Sequence, residues 1–433
     1  MEVSVEELKV AKYPTYKDSR VKSIGEIPGH WEVFPLFSVA SLKSVTNLRD
    51  RDLLSVYLDR GVIKFSDVTE KRTNVTSLDL SNYQAVNPGD FVLNNQQAWR
   101  GSVGVSKYEG IVSPAYLVLL LSSKFDSNFA DYFFRDIAMV SQYLICSKGV
   151  GTIQRNLYWN YLRRSNISIP PKEEQIAIAQ FLDRKIVQID KAIAIKEKQI
   201  ILLKERRQIL IHRAVTRGLN PDVPMKDSGV EWIGEIPEHW EIVSNKTLFH
   251  ERNEPGDENL PLLMVSIHSA VSSEEVSDED NIRGKIRIED KSSYKRVKVG
   301  DIVFNMMRAW QGGIGAVRVE GMVSPAYVVA KPTATFNSDF FEYQYRTAAF
   351  IKQMDRVSKG ITDFRKRLYW NEFKQLCTIL PPVKEQLEIA NFITTLNNLT
   401  DEAITSKLKE IGKLKEYKAS LINSAVTGKI KVC

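Results

Sequence analysis

His30-Trp31 and His239-Trp240 are the first residues of this sequence that could do chemistry. Histidine is the usual general base near neutral pH. Each closes the same phrase, Gly25-Glu26-Ile27-Pro28 and Gly234-Glu235-Ile236-Pro237. No nucleophile recurs beside them, so both histidines read as structural. Cys146, Cys377 and Cys433 form no CxxC and no zinc spacing. Gly101–Gly104 and Gly312–Gly315 extend neither to a dinucleotide fingerprint nor to a Walker lysine loop. There is no Asn-Pro-Pro-aromatic tetrapeptide of the amino-methyltransferase kind, and no His/Cys/carboxylate cluster has metal spacing. The expected catalytic and metal-ligand sets are therefore empty, and no cofactor is expected on this chain.

The remaining chemistry is recognition. Arginine and asparagine pair two-pronged with guanine and adenine edges. The least repeated segments hold Arg49, Arg51, Lys64, Lys71, Arg72 and Asn74, then Arg252, Arg283, Lys285, Arg287, Lys295 and Arg296. Arg308 and Arg365 join them as candidates. Lys148 and Lys359, with the basic pair Arg155 and Lys366, suit phosphates, which position a protein without carrying sequence information. Arg100 against Gln311 is a difference inside a shared loop, as a base-reading position or neutral drift would give. Trp99/Trp310, Tyr116/Tyr327 and Trp159/Trp370 are common to both copies and read as scaffold. The acidic run Glu274–Asp280 should face away from an anionic partner.

Two copies of one unit position these residues. Ala98-Trp99 meets Ala309-Trp310, and Val112–Tyr116 meets Val323–Tyr327, at an offset of 211. Leu157–Asn160 meets Leu368–Asn371 in the same register, while the opening phrase pairs at 209. Net charge is +7, which permits an anionic partner without proving one. The longest apolar run, Ala115–Leu121, is too short to span a bilayer. With no secretion signal at the start, a cytoplasmic location is expected.

Each unit opens with a mixed region. Short apolar runs such as Tyr116–Leu121, Ser165–Ile169 and Ala326–Ala330 predict strands, and Phe129–Val140 and Phe340–Met354 predict helices. A long helix follows. Prolines stand just before it and glutamates occupy its first turn, where the dipole favours them. Heptads then place Leu182, Ile186, Ile189, Ile193, Ile200, Leu203 and Leu210 on one seam, with Ile393, Ile404, Ile411, Leu414 and Leu421 in the second copy. Charged interruptions match, Lys196 with Lys407 and Arg207 with Lys418.

The expected fold is α+β. Two tandem α/β recognition domains, 1–170 and 218–381, alternate with spacer helices, 171–217 and 382–433. The helices should form an antiparallel coiled coil with pseudo-twofold symmetry. About 40 residues make a helix roughly 60 Å long. Such a span suits duplex DNA, whose half-sites fall at whole helical turns.

The sequence resembles the specificity subunit of type I restriction-modification systems. The matching features are the Gly-Glu-Ile-Pro-x-His-Trp entry at 25–31 and 234–240, the Pro-Pro-x-x-Glu-Gln helix starts at 170–175 and 381–386, and their order and duplication. The resemblance implies two target recognition domains reading a split sequence in double-stranded DNA. It implies two modification subunits that bind S-adenosylmethionine and methylate adenine, and restriction subunits that use ATP and Mg. Charged and polar residues in the helix seam depart from a plain zipper. A non-catalytic adaptor joining two protein partners is the alternative.

Overall fold

The structure, a computed structural model, describes residues 11–68, 79–150, 154–231, 233–257, 259–267, 270–273, 293–360 and 366–432. It divides into two compact units, Met1–Lys196 with Leu408–Cys433, and Glu197–Lys407. The division cuts through both long helices rather than falling at their starts.

In the first unit a four-stranded antiparallel sheet is built from β1 (Ala40–Leu42), β2 (Phe91–Asn94), β3 (Val103–Val105) and β4 (Tyr116–Leu121), in the order β1-β4-β2-β3. Side chains alternate across it. Phe91 stacks on Phe134 of helix α1 (Ser127–Arg135), their centroids 4.2 Å apart. Val92 and Val118 instead join Leu54, Val56, Val62, Val86 and Val112 in a separate valine-rich cluster. The sheet is therefore buried on both faces.

Helix α2 (Ile137–Ile145) follows α1 after one residue. A single helix over Phe129–Val140 was expected, and the break has a clear cause. Asp136 sits in extended conformation, φ −66° and ψ 151°, and its carboxylate accepts the amide of Ala138. It ends one helix and caps the next. The hairpin β5 (Ser147–Val150) and β6 (Gln154–Leu157) comes next, then the long helix α3 (Lys172–Arg217).

The second unit repeats this plan. Strands β7 (Phe249–Glu251), β8 (Ile302–Asn305), β9 (Ile314–Ala316) and β10 (Tyr327–Pro332) pair in the order β7-β10-β8-β9. Helices α4 (Ser338–Tyr345) and α5 (Ala348–Val357) are again two rather than one, broken at Thr347, whose side chain accepts the amide of Phe350. The second long helix is α6 (Val383–Val426). Leu263, Val265, Val297, Val303, Val317, Val323 and Val329 repeat the valine cluster. The offset is 209 at Leu54–Tyr57 against Leu263–Ser266 and 211 at Gln84–Val86 against Lys295–Val297, which brackets the two-residue difference between them.

The two long helices run antiparallel within each unit. In the first, Asp190 meets Lys418 and Lys196 meets Glu410. In the second, Arg207 meets Asp401, while Ala214 and Val215 of α3 share a core with Ile389 and Ile393 of α6. Leu182, Ile189, Ile193, Ile200, Ile393, Ile411 and Leu421 are buried. Ile186, Leu203, Leu210, Ile404 and Leu414 are half-buried.

The repeated entry phrase and the repeated helix start lock together. Glu174 accepts from Trp31 Nε1 at 3.1 Å, from His30 Nε2 at 2.8 Å and from the Tyr13 hydroxyl. Glu385 accepts from Trp240 Nε1 at 3.0 Å and His239 Nε2 at 2.6 Å. The histidines are thus fastenings between a domain and its helix. Trp31 also receives the end of α6: a Cβ on Gly428 would lie 3.0 Å from its ring. Trp240 receives the end of α3 through Gly218, 3.2 Å by the same measure. Each tryptophan therefore marks where one long helix starts and the other ends.

Candidate nucleic-acid interface

In each unit a central strand runs into one turn of 3-10 helix, Ala98–Arg100 or Ala309–Gln311. Asn94 Oδ1 accepts the Gln96 amide at 3.2 Å, and Asn305 Oδ1 accepts the Met307 amide at 2.9 Å. The indole then closes the loop. Trp99 Nε1 donates to Gln96 O at 3.0 Å and Trp310 Nε1 to Met307 O at 2.9 Å. Gly101 and Gly312 end the turns at φ +100° and +91°, a region side chains other than glycine's rarely enter. The tryptophans are half-buried and act as scaffold for their loops.

Basic side chains gather on these indoles. The Arg100 guanidinium lies 4.6 Å from the Trp99 ring centroid, and that of Arg155, from β6, lies 5.8 Å away. Such cation–π contacts hold a charge in place while leaving it charged. On the same hairpin Lys148 Nζ donates to the Tyr161 hydroxyl at 2.7 Å. That hydrogen bond pushes the lysine pKa up from its ordinary value. In the second unit Lys366 Nζ lies 5.4 Å from the Trp310 centroid and donates to Asp355 Oδ1 at 2.7 Å. Lys359 pairs with Glu372 at 2.5 Å, and Arg308 Nη1 donates to Gln311 Oε1 at 2.8 Å. In the first unit the loop and hairpin thus bring basic and aromatic side chains together, whereas in the second Lys359 and Lys366 are each paired with a carboxylate.

The other candidates are separate from these clusters. Arg49 Nε donates to Asn47 Oδ1 at 3.2 Å. Arg51 contacts Asn87 at 3.0 Å and Glu109 at 2.6 Å, and Lys64 faces Asp52 at 3.5 Å. Arg252 does not fit the recognition role expected of it. It is buried, with Nε and Nη2 donating to Asp301 at 2.8 and 3.1 Å, and it also pairs with Glu254. The first unit has the equivalent pair, half-buried Lys43 with buried Asp90, so this is shared scaffold. Lys295 also has a structural task. It donates to Tyr327 O at 3.0 Å, as Gln84 does to Tyr116 O. Arg296 binds Glu320 at 2.8 Å. Lys71, Arg72, Asn74, Arg283, Lys285, Arg287 and Arg365 lie outside the described residues, as do 274–280 and Cys433.

Two groups were missed in the sequence reading. Tyr158 and Tyr161 are about half exposed and meet edge to face at 6.0 Å beside Lys148. Their signal was the aromatic pair just after a basic hairpin. Arg346 donates to the carbonyls of Ser266, Ile267, Gly312 and Ile314, tying a hairpin to the Trp310 loop. Nothing in the sequence marks such a long-range clamp. Among the described residues no group of His, Cys, Asp or Glu could hold a metal ion. No described helix is long and apolar enough to cross a membrane.

The fold is a duplicated α+β unit, with the two long helices antiparallel in each copy. Residues 28–205 match the family described as type I restriction modification DNA specificity domain. The type I restriction enzyme MjaVIII specificity subunit of Methanocaldococcus jannaschii is 24% identical, over 96% of this chain and 97% of its own length. A solved structure of a type I R-M system assembly aligns over 92% of this chain, with a TM-score of 0.62 at 12% identity. The crystal structure of the HsdS subunit from Thermoanaerobacter tengcongensis aligns over 93%, with a TM-score of 0.53 at 13% identity. The chain is thus similar to type I restriction-modification specificity subunits over nearly its whole length, and it shares their fold. The family match covers the first unit's domain and most of α3; the internal repeat extends the likeness to the second.

Proposed function

We propose that the chain reads a bipartite sequence in double-stranded DNA and directs adenine methylation and restriction carried out by partner subunits. Residues 1–170 and 218–381 each read one half of the target, and the helices at 171–217 and 382–433 set the spacing and dock two modification subunits. The chain itself is non-catalytic. S-adenosylmethionine, ATP and Mg belong to the partners. The observation that carries this reading is the repeated cluster of Trp99, Arg100, Arg155 and Lys148 against Trp310, Gln311, Lys366 and Lys359. A shared scaffold with exchanged polar side chains is what two readers of different half-sites require.

The test is binding of defined duplexes by the chain with its methyltransferase partner. Preference for one split sequence over random duplex, with affinity falling as salt rises, supports the reading, because phosphate contacts release counterions. Equal binding of all duplexes favours the adaptor. Cofactor binding by the isolated chain would contradict the non-catalytic assignment.

A further inference from the structure

The first loop reads Gln97-Ala98-Trp99-Arg100 and the second Arg308-Ala309-Trp310-Gln311. Alanine and tryptophan are shared, while the guanidinium and the amide have exchanged ends. Each pair flanks one turn of 3-10 helix, and in the second loop the two polar side chains meet.

In the second unit the result is specific. Gln311 Oε1 accepts from Arg308 Nη1 at 2.8 Å. A glutamine amide has one acceptor atom and two N–H donors. With a cation bound to the acceptor, the pair is dominated by donors. Reading adenine needs a donor for N7 and an acceptor for the N6 amino group. Guanine presents two acceptors, N7 and O6. In the first unit the guanidinium stands at the other end of the turn, 4.6 Å from the Trp99 ring.

We propose that Arg308 and Gln311 together read a guanine in the half-site of the second domain, Arg308 also fixing the orientation of the Gln311 amide. The reversed order at Gln97 and Arg100 is what makes the two domains prefer different bases at this loop. The inference rests on the DNA-reading function proposed above and adds the base and the residues.

The test uses the full chain with its methyltransferase partner, on duplexes varied one base pair at a time. One guanine of the second half-site should be essential. Replacing it by adenine, or by 7-deazaguanine, which lacks the N7 acceptor, should weaken binding about 5- to 100-fold. Gln311→Ala and Arg308→Ala should each flatten preference at that position and leave the first half-site unchanged, which also shows that the variants fold. Exchanging the pair (Arg308→Gln with Gln311→Arg) should change the base preferred there. Wild-type preference in both alanine variants, or a second half-site insensitive to every guanine change, overturns the proposal while leaving the broader function standing. Absence of any sequence preference in the wild-type complex overturns both.

Discussion

Arg207 Nη1 donates to Asp401 Oδ1 at 2.7 Å across the paired long helices of the second unit. Lys418 makes the equivalent contact with Asp190, at 2.7 Å, in the first. Both basic residues interrupt an apolar heptad seam, and each is met by an aspartate on the opposite helix. Polar groups in a seam cost stability but penalise slipped registers, where they would face apolar neighbours. Each pair is partly exposed and worth about 0.2–1 kcal/mol. Arg207→Glu should therefore destabilise the chain modestly by placing like charges together. Adding Asp401→Arg should restore most of the loss. Denaturant titrations of the single and double variants measure this coupling. Additive losses would show that the two residues do not set the register together.

Glu174 and Glu385 hold equivalent joints with unequal burial. Glu174 is 9% exposed and accepts from three side chains; Glu385 is 34% exposed and accepts from two. Removing a buried acceptor leaves its donors unsatisfied, at about 1–3 kcal/mol per group. Glu174→Ala should therefore cost more stability than Glu385→Ala, by about 1 kcal/mol or more. Equal losses in chemical denaturation would contradict the joint as described.

Lys148 and Lys359 provide the cleanest separation of grip from reading. Each Lys→Ala change should weaken DNA binding for all sequences alike and reduce the slope of log affinity against log salt, by about 1 for Lys148 and by less for Lys359, which is paired with Glu372. Specificity should stay as it was. A changed base preference would move these residues into the reading set.

Asp136 makes stability depend on pH in a direction opposite to most carboxylates. Burial raises its pKa above the ordinary 3.8, although the Ala138 amide and Asn423 oppose this. The folded state then holds the proton more tightly than the unfolded one. Stability is greatest at low pH for this group and declines as pH rises from about 3.8 through the folded pKa. Asp136→Asn keeps a cap acceptor and removes the titration. Compared with wild type, the variant should gain relative stability as pH rises above about 3.8. A difference independent of pH would show that Asp136 does not titrate in this range.

Much of this architecture was legible in the sequence because it was written twice. The repeated Ala-Trp, the Pro-Pro-x-x-Glu-Gln starts and the heptads marked two copies of one unit, each with a long helix. Why the two phrases recur together was not legible. Only the fold brings Trp31 to Glu174, 143 residues away. The helix breaks at Asp136 and Thr347 were missed because apolar periodicity continues across a cap. Arg252 was misjudged for a similar reason. A charged residue in a variable-looking segment reads as surface, and burial is visible only when Asp301 is placed beside it. The Gln97/Arg100 exchange was in plain view, but its chemistry depends on the hydrogen bond between Arg308 and Gln311.

The central claim is that this chain chooses which adenines its partners modify. Mapping modified adenines across a genome, with and without the gene for this chain, tests it most directly. The account predicts that one split sequence, two half-sites at fixed spacing, loses its methylation when the gene is removed and regains it when the gene returns. An unchanged methylation map would contradict the claim.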